Sequence, residues 1–320
     1  MEVSALQKEQ SLDLTKMENV FFLKLEGDAK SPNTLKNYRT DLECFNNYII
    51  EAQSNLKLDS INLQTIKSYG QFLDEKYSSD NSKRRRIQTL RIFFDFLVEK
   101  DVYTENPVRK LVASPKFLDI PRPTPLKDLI VLWEHLLEVS KSSHPLEALI
   151  GIRNQVLVDL IYGAGLKVSD LSSLKMNHIS LGSSPRVLIT PLKRDPYSIP
   201  LSENFVPLFK RYQEFLTIQK EKDYHEFDDF LFNANPYRIL SGGLSPRGIE
   251  TVFKELRGKL DIVLTPKSLR QACIFNWLGQ KKKESLIKEW LGVAPSYSLK
   301  LYKDHLDSHA FHDEFLKEIQ

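Results

Sequence analysis

Four prolines fall within eleven residues, at Pro115, Pro121, Pro123 and Pro125. Proline fixes its own φ, lacks an N–H and pushes the preceding residue out of the helical region, so no long helix can cross this stretch. The sequence on both sides is patterned for helix. The chain is therefore expected to fold as two helical bodies joined by an extended connection: an N-terminal domain over 14–110, a linker over 111–127, a larger domain over 128–305 and a tail helix over 306–320. At 320 residues, the length alone suggests two domains.

In the first body, apolar residues recur at three- and four-residue spacings, through Val20, Phe21, Leu23 and Leu25 and then Leu35, Tyr38, Leu42, Phe45 and Tyr48. Ser31-Pro32-Asn33-Thr34 reads as a helix start. A further series runs through Leu90, Ile92, Phe93, Phe96 and Leu97. Gly27 and Gly70 are the only glycines before Gly151, which favours a compact bundle over a sheet. Beyond the prolines, helices are expected over Leu126–Val139 and Leu146–Tyr162, with a break at Gly163-Ala164-Gly165 and a short helix from Ser169. Val187–Thr190 and Tyr197–Ile199 predict two strands joined by the turn Leu192-Lys193-Arg194-Asp195-Pro196. More helices follow to the C-terminus.

The chain is 41% hydrophobic and 27% charged, ordinary for a globular protein with a normal core. Its net charge of +3 is compatible with a nucleic-acid partner, although recognition depends on where cations cluster. The two cysteines, Cys44 and Cys273, lie far apart and match no metal spacing, which fits a reducing cytoplasm. No basic start followed by an apolar run marks a signal peptide, and no apolar stretch approaches the roughly 20 residues that span a bilayer. No membrane association is expected.

Ser82-Lys83-Arg84-Arg85-Arg86 opens a helix. Cations there oppose the helix dipole, and a nucleic-acid phosphate would satisfy both the helix N–H groups and the side chains. Lys83, Arg84, Arg86 and Arg91 are the expected DNA contacts, with a solvated basic face as the plainer reading. Gln280-Lys281-Lys282-Lys283 is a weaker basic run in a loop between helices.

The C-terminal half carries a family signature. Thr265-Pro266-Lys267-Ser268-Leu269-Arg270 resembles the T-P-H-x-L-R box of the tyrosine site-specific recombinases, or phage integrases. Leu291-Gly292 followed by Leu301-Tyr302 resembles their L-G-H…I-Y box. Arg270 precedes Gly292 by 22 residues and Tyr302 by 32, the usual family spacings. Upstream, Arg153-Asn154 and Tyr162 through Leu171 resemble R-D…Y-x-T-G-L-R-x-S-E-L. Thr34, Tyr38, Asp41, Leu42 and Phe45 resemble the first core-binding helix. Ser82, Arg86, Leu90, Arg91, Phe93, Phe96, Asn106 and Pro107 resemble a later helix and its exit. The likeness covers roughly residues 30–305, and Xer-type proteins are similar in length and layout.

This resemblance implies a mainly α fold: an N-terminal helical, SAM-like core-binding domain and a mostly helical catalytic domain with a small β-hairpin or sheet. It also implies that double-stranded DNA is broken and rejoined through a 3′-phosphotyrosyl intermediate, with no cofactor and no metal, by a homo- or hetero-tetramer on paired sites. Tyr302 takes the place of the nucleophile; Tyr297 lies nearby at the wrong spacing. Arg270 takes that of a phosphate-binding arginine, whose guanidinium fork can span two nonbridging oxygens; an internal salt bridge is the alternative. Lys193 takes that of the lysine that protonates the leaving 5′-oxygen, with Arg194 as rival because the hairpin is one residue short, and a plain solvated turn lysine as the other reading.

Four positions depart from the pattern. The first family arginine is Lys167, which keeps the charge and loses the rigid fork. The first histidine is Lys267, and the second is Gln271. The third histidine, or its tryptophan alternative, is Val293, which has no hydrogen-bonding atom in its side chain. Loss of one transition-state donor typically costs about 2.7–4 kcal/mol. An alternative function is therefore a catalytically impaired DNA-binding relative that acts as a regulator or architectural protein. A scaffold with accidental motif matches is a third reading.

Asp170 keeps the usual acidic position. His305, His309 and His312 share helical spacings, which suggest a polar helix face more readily than a metal site. Leu306, Ala310, Phe311, Phe315, Leu316 and Ile319 form an apolar stripe expected to dock on a neighbouring subunit or on the same chain.

Overall fold

The computed structural model describes residues 13–53, 56–111, 120–191, 194–223, 226–234 and 240–306. It divides into two compact units, Met1–Phe117 and Leu118–Gln320. Both are mostly helical, as the sequence pattern predicts.

The first unit packs four helices, α1 (Leu14–Gly27), α2 (Pro32–Gln53), α3 (Leu63–Lys76) and α4 (Asp80–Glu99), with 3-10 turns at Leu58–Ser60 and Pro107–Lys110. Their starts are set by local hydrogen bonds that satisfy otherwise orphaned N–H groups. Asp13 accepts from Lys16 N at 2.8 Å, Ser31 Oγ from Thr34 N at 3.1 Å, and Asn62 Oδ1 from Gln64 N at 2.8 Å. The apolar repeats converge on an aromatic core in which Phe21, Phe45, Tyr69, Phe93 and Phe94 are at most 1% exposed. Phe21 meets Phe93 edge-on with ring centres 5.3 Å apart, and Phe45 meets Tyr69 at 4.9 Å. Each such side chain contributes roughly 1.5–3 kcal/mol by burial.

The second unit is built on α5 (Leu126–Val139), α6 (Pro145–Tyr162), the short α7 (Val168–Ser172), α8 (Phe205–Asp223), α9 (Pro246–Leu260), α10 (Pro266–Gly279), α11 (Glu284–Trp290) and α12 (Lys300–Asp304). The central α6 packs against α5, α8 and α10, which explains why its apolar residues run almost all round instead of forming a stripe. The expected hairpin is present: β2 (Arg186–Ile189) pairs antiparallel with β3 (Tyr197–Pro200), Val187 opposite Ile199, and a two-residue β1 (Ile179–Ser180) extends the sheet. A second pair, β4 (Phe232–Ala234) with β5 (Leu240–Gly242), replaces part of the expected helical run. Buried Arg153 pins it, donating from Nη1 to Phe232 O at 3.1 Å and from Nε and Nη2 to Asn154 Oδ1 at 3.1 and 2.9 Å.

Part of the expected linker, residues 112–119, lies outside the described residues, as does the tail from 307 with His309 and His312. The later prolines are not loosely tethered. Arg122 N donates to Gln271 Oε1 at 3.1 Å, and Thr124 N donates to Ser268 O at 3.1 Å, so this segment is laced to α10. No helix among the described residues is long and apolar enough to cross a membrane.

Glu18 lies 8% exposed in the first unit, where its Oε2 accepts from Asn46 Nδ2 at 3.0 Å. Burial raises its carboxyl from the ordinary 4.5 to about 7. The folded state therefore retains this proton over a range in which the unfolded chain releases it, and the associated stability is lost as pH rises from 4.5 towards 7. Glu18→Gln should stabilise the first unit at pH 8 by up to about 3 kcal/mol. The gain should vanish by pH 4.5. Denaturant unfolding at both pH values measures it, and an equal effect at the two would contradict the assignment.

Candidate active site and nucleic-acid interface

The start of α10 is fixed by a reciprocal cap. Ser268 N donates to Thr265 Oγ1 at 2.9 Å and Thr265 N to Ser268 Oγ at 2.8 Å, with Pro266 in the first turn. Leu269, Ala272 and Cys273 then face the core. Lys267, Arg270 and Gln271, three and four residues apart, share the other side.

Arg270 spans two loops. Its Nε donates to Gly165 O at 2.5 Å and its Nη2 to Leu291 O at 3.1 Å. Both loops turn on a left-handed glycine, Gly165 at φ 66° and Gly292 at φ 55°. A Cβ on Gly165 would lie 2.8 Å from the Trp277 ring, and one on Gly292 would lie 2.4 Å from the Tyr197 hydroxyl. The internal partners of Arg270 are thus backbone carbonyls, rather than the carboxylate considered from sequence.

The first loop delivers Lys167, whose N–H donates to Asp170 Oδ2 at 3.2 Å at the start of α7. Lys167 is half-buried, and its pKa is lowered by burial first, then by the charges of Arg270 and Arg194, against the opposing pull of Asp170. Arg194, in the β2–β3 turn, is exposed. Tyr197, on β3, is held above its ordinary pKa mainly by burial and by Asp170, with Arg194 and Arg270 opposing. Lys167, Asp170, Arg194, Tyr197 and Arg270 therefore form one electrostatic neighbourhood. Lys193, the expected leaving-group acid, lies outside the described residues. Tyr197 was not anticipated as a neighbour; its position opposite Ile189 in the hairpin is the only sequence signal that could have suggested it.

The second loop delivers Val293, half-buried against a small core of Cys273, Ile274, Trp277, Leu278, Ile287, Leu291 and Leu299. Tyr302, on α12, packs on the same core with its ring 5.4 Å from Phe275. Burial pushes the Tyr302 phenol up to about 12. The Tyr297 hydroxyl adds to this, whereas a hydrogen bond from Gln271 and the charge of Arg270 favour the phenolate. The structure thus gathers Arg270, Gln271 and Tyr302, and joins Arg270 to Lys167. His305 Nδ1 lies 2.8 Å from Leu301 O, and no metal-binding cluster occurs among the described residues.

A groove of about 790 Å³ adjoins this cluster and is lined by Lys167, Lys267, Arg270, Arg247, Lys254 and Arg257, with Glu250 as its carboxylate. Lys267 is exposed at its edge. Arg247, Lys254 and Arg257 come from α9, whose other face buries Ile249, Phe253 and Leu256. Sequence reasoning missed this row because its cations are spaced by seven and three residues and form no run; helical periodicity was the available signal.

In the first unit, much of the basic run is already engaged. Lys83 Nζ pairs with Asp74 at 2.9 Å and Asp80 at 3.0 Å, which raises its pKa. Arg85 pairs at 2.8 Å with buried Asp41. Arg86 is 9% exposed, lies 3.9 Å over the Tyr77 ring and donates to Ser82 O at 3.0 Å. It braces the interior. Arg84 and Arg91 are half-buried, 3.5 Å from Asn81 Oδ1 and 3.2 Å from Gln88 Oε1. Arg85, whose partner is Asp41, is the residue of the run that the sequence reading left without a role.

Gly292→Ala should disturb this geometry without changing any charge. The left-handed backbone costs an alanine about 1–2 kcal/mol, and its methyl requires Tyr197 to move. Denaturant unfolding should show at least that loss; an unaffected midpoint would contradict the close approach.

Two family profiles match the chain: "Phage integrase, N-terminal SAM-like domain" over residues 19–101 and "Phage integrase family" over residues 133–309. The chain is 28% identical over 263 residues to tyrosine recombinase XerC of Staphylococcus carnosus, covering 82% of this chain and 83% of that protein. It is also 28% identical over 295 residues to tyrosine recombinase XerC of Oceanobacillus iheyensis, covering 90% and 91%. Its fold resembles a lambda integrase dimer bound to a COC′ core site, with a TM-score of 0.67 and 16% identity over 98% of this chain and 83% of that one. With the integrase profile spanning more than half its length, and the arginine, glycine and tyrosine of the motif boxes gathered as described, the chain belongs to the phage integrase family of tyrosine recombinases.

Proposed function

We propose that this protein is a site-specific DNA recombinase in which Tyr302 attacks a phosphodiester of duplex DNA. The observation that carries the reading is the position of Arg270: it acts electrostatically on both Tyr302 and Lys167, residues far apart in sequence, and lines the basic groove. The phenol releases its proton to solvent as its oxygen bonds to phosphorus, the bond to the 5′-oxygen breaks, and that oxygen takes a proton and leaves as a hydroxyl. A 5′-hydroxyl from a second duplex then attacks the phosphotyrosyl link, loses its proton, and releases Tyr302, whose oxygen takes up a proton. Such transfer depends on position and on donors that meet charge on the nonbridging oxygens.

Arg270 and Lys167 supply those charges in this reading, with Lys267 at the groove edge. Lys193 or Arg194 protonates the leaving oxygen. Duplex DNA runs along the α9 groove, and Arg84 and Arg91 contact its backbone from the first unit. Lys83 and Arg86 act there mainly by holding α4 in place. The relatives carry the name recombinase, which favours this reading over a regulator. A tetramer on paired sites is the working assembly in this proposal; related lambda integrase structures include a dimer on a core site and a tetramer on a Holliday junction. The tail from 306 joins neighbouring subunits, and the cytoplasm is the compartment.

Incubation with a pool of nicked duplexes carrying candidate sites, followed by a denaturing gel, tests the chemistry. A covalent adduct should form with the parent chain and be lost in Tyr302→Phe, with DNA binding retained. An adduct that persists in Tyr302→Phe would overturn the assignment.

Lys167→Arg combined with Val293→His should raise the rate of adduct formation and leave DNA affinity nearly unchanged, since the grip comes from many backbone contacts. Slower cleavage in that variant would show that the lysine and valine belong to a different, compensated site. Replacing Arg247, Lys254 and Arg257 with alanine should weaken binding and flatten its logarithmic salt dependence by up to roughly 2.7 units if each residue meets one phosphate. An unchanged salt slope would remove the groove from the DNA interface.

A further inference from the structure

We propose that the second unit holds a separate ligand site, for a small alkylammonium ion, in the cavity walled by Trp133, Tyr162, Trp277 and Trp290 around the Asp159 carboxylate. The sequence has three tryptophans, and all of them line this one cavity, whose volume is about 340 Å³. Ligand pockets usually fall between about 300 and 1,000 Å³. Trp277 and Trp290 meet nearly edge-on with ring centres 5.2 Å apart, which sets two aromatic surfaces at an angle. The Trp133 Nε1 is sealed from solvent and has no hydrogen-bond partner among the described residues.

Asp159 projects from α6 into this aromatic setting. Its side chain is half-buried, and desolvation raises its pKa from 3.8 to about 7. The other titratable groups around it are Tyr162 and Lys282, which line the cavity, and the buried thiol of Cys273. Lys282 is exposed, and its charge is not among the influences on Asp159. No opposite charge is among the influences on the Asp159 carboxylate.

These features select the occupant. An anion is repelled by Asp159. A neutral apolar molecule covers the half-buried Asp159 carboxyl without pairing with it. A bare metal ion favours several charged oxygens, and Asp159 is the one carboxylate in the lining, beside Lys282. A cation clothed in carbon meets both requirements, with the charge paired to Asp159 and the methyl or methylene groups against the aromatic faces. Its binding displaces the Asp159 proton below about pH 7, so affinity rises as pH increases through that value.

The protein provides its own reporter, because each of its three tryptophans lines the cavity. Choline should change the tryptophan fluorescence saturably at constant ionic strength. Its neutral tert-butyl analogue, of the same shape, should bind at least tenfold more weakly. Choline affinity should rise between pH 6 and pH 8, and Asp159→Asn should abolish both the preference and the pH dependence. Absence of a saturable change, equal affinity for the two probes, or a preference that survives Asp159→Asn would each overturn the proposal.

Discussion

The guanidinium of Arg270 holds together the part of the molecule on which the function depends. One planar fork satisfies the carbonyl of Gly165 and the carbonyl of Leu291, 126 residues later in the chain. Arginine suits this because its donors are fixed in one plane and it remains charged when partly buried. The two loops it joins cannot lie elsewhere without giving up these bonds. They carry Lys167 and Val293, and the helix bearing Tyr302 packs on the core beneath them. The remaining donor, Nη1, makes none of the described hydrogen bonds, so Arg270 can organise its surroundings and still offer positive charge to a ligand.

The departures from the family pattern become physically intelligible around this centre. Lys167 retains a charge where a fork is usual, and burial with two neighbouring arginines makes that charge easier to shed as a proton. Val293 gives up a donor and adds apolar contact to the small core beneath Tyr302. Gln271 exchanges a ring for an amide that serves two partners: it accepts from the Arg122 backbone and hydrogen-bonds the Tyr302 phenol. In the proposed reading, each substitution preserves the framework and weakens the donors that would meet a phosphate. Chemistry that depends on fixed donors is accordingly expected to slow more than binding.

The helices and the long hairpin were legible because periodicity and caps are local signals. Ser31, Pro32 and the repeats through Phe45 and Phe93 specify where a helix starts and which side it buries. The fixed spacing from Arg270 to Gly292 and Tyr302 located the candidate site. What escaped were features set by tertiary partners. The strand pair at Phe232 and Leu240 depends on Arg153, contributed by a distant helix. The basic row on α9 lies on a face that shows no consecutive charges. The run at Lys83–Arg86 reads from sequence as an open basic surface, yet Asp41, Asp74 and Tyr77 already partner most of it. A charge run specifies potential partners, and only the fold decides whether they are internal.

Hydrogen exchange on the free protein tests the central role of Arg270 most directly. The amides of residues 163–168 and 289–294 should be followed in the parent and in Arg270→Gln, which shortens the reach and removes the fork. If the guanidinium holds the two loops together, both segments should exchange faster in the variant, with the helices of the first unit unchanged. Unaltered exchange in either segment would contradict the account, because that loop would then be held by its own glycine turn and packing without Arg270.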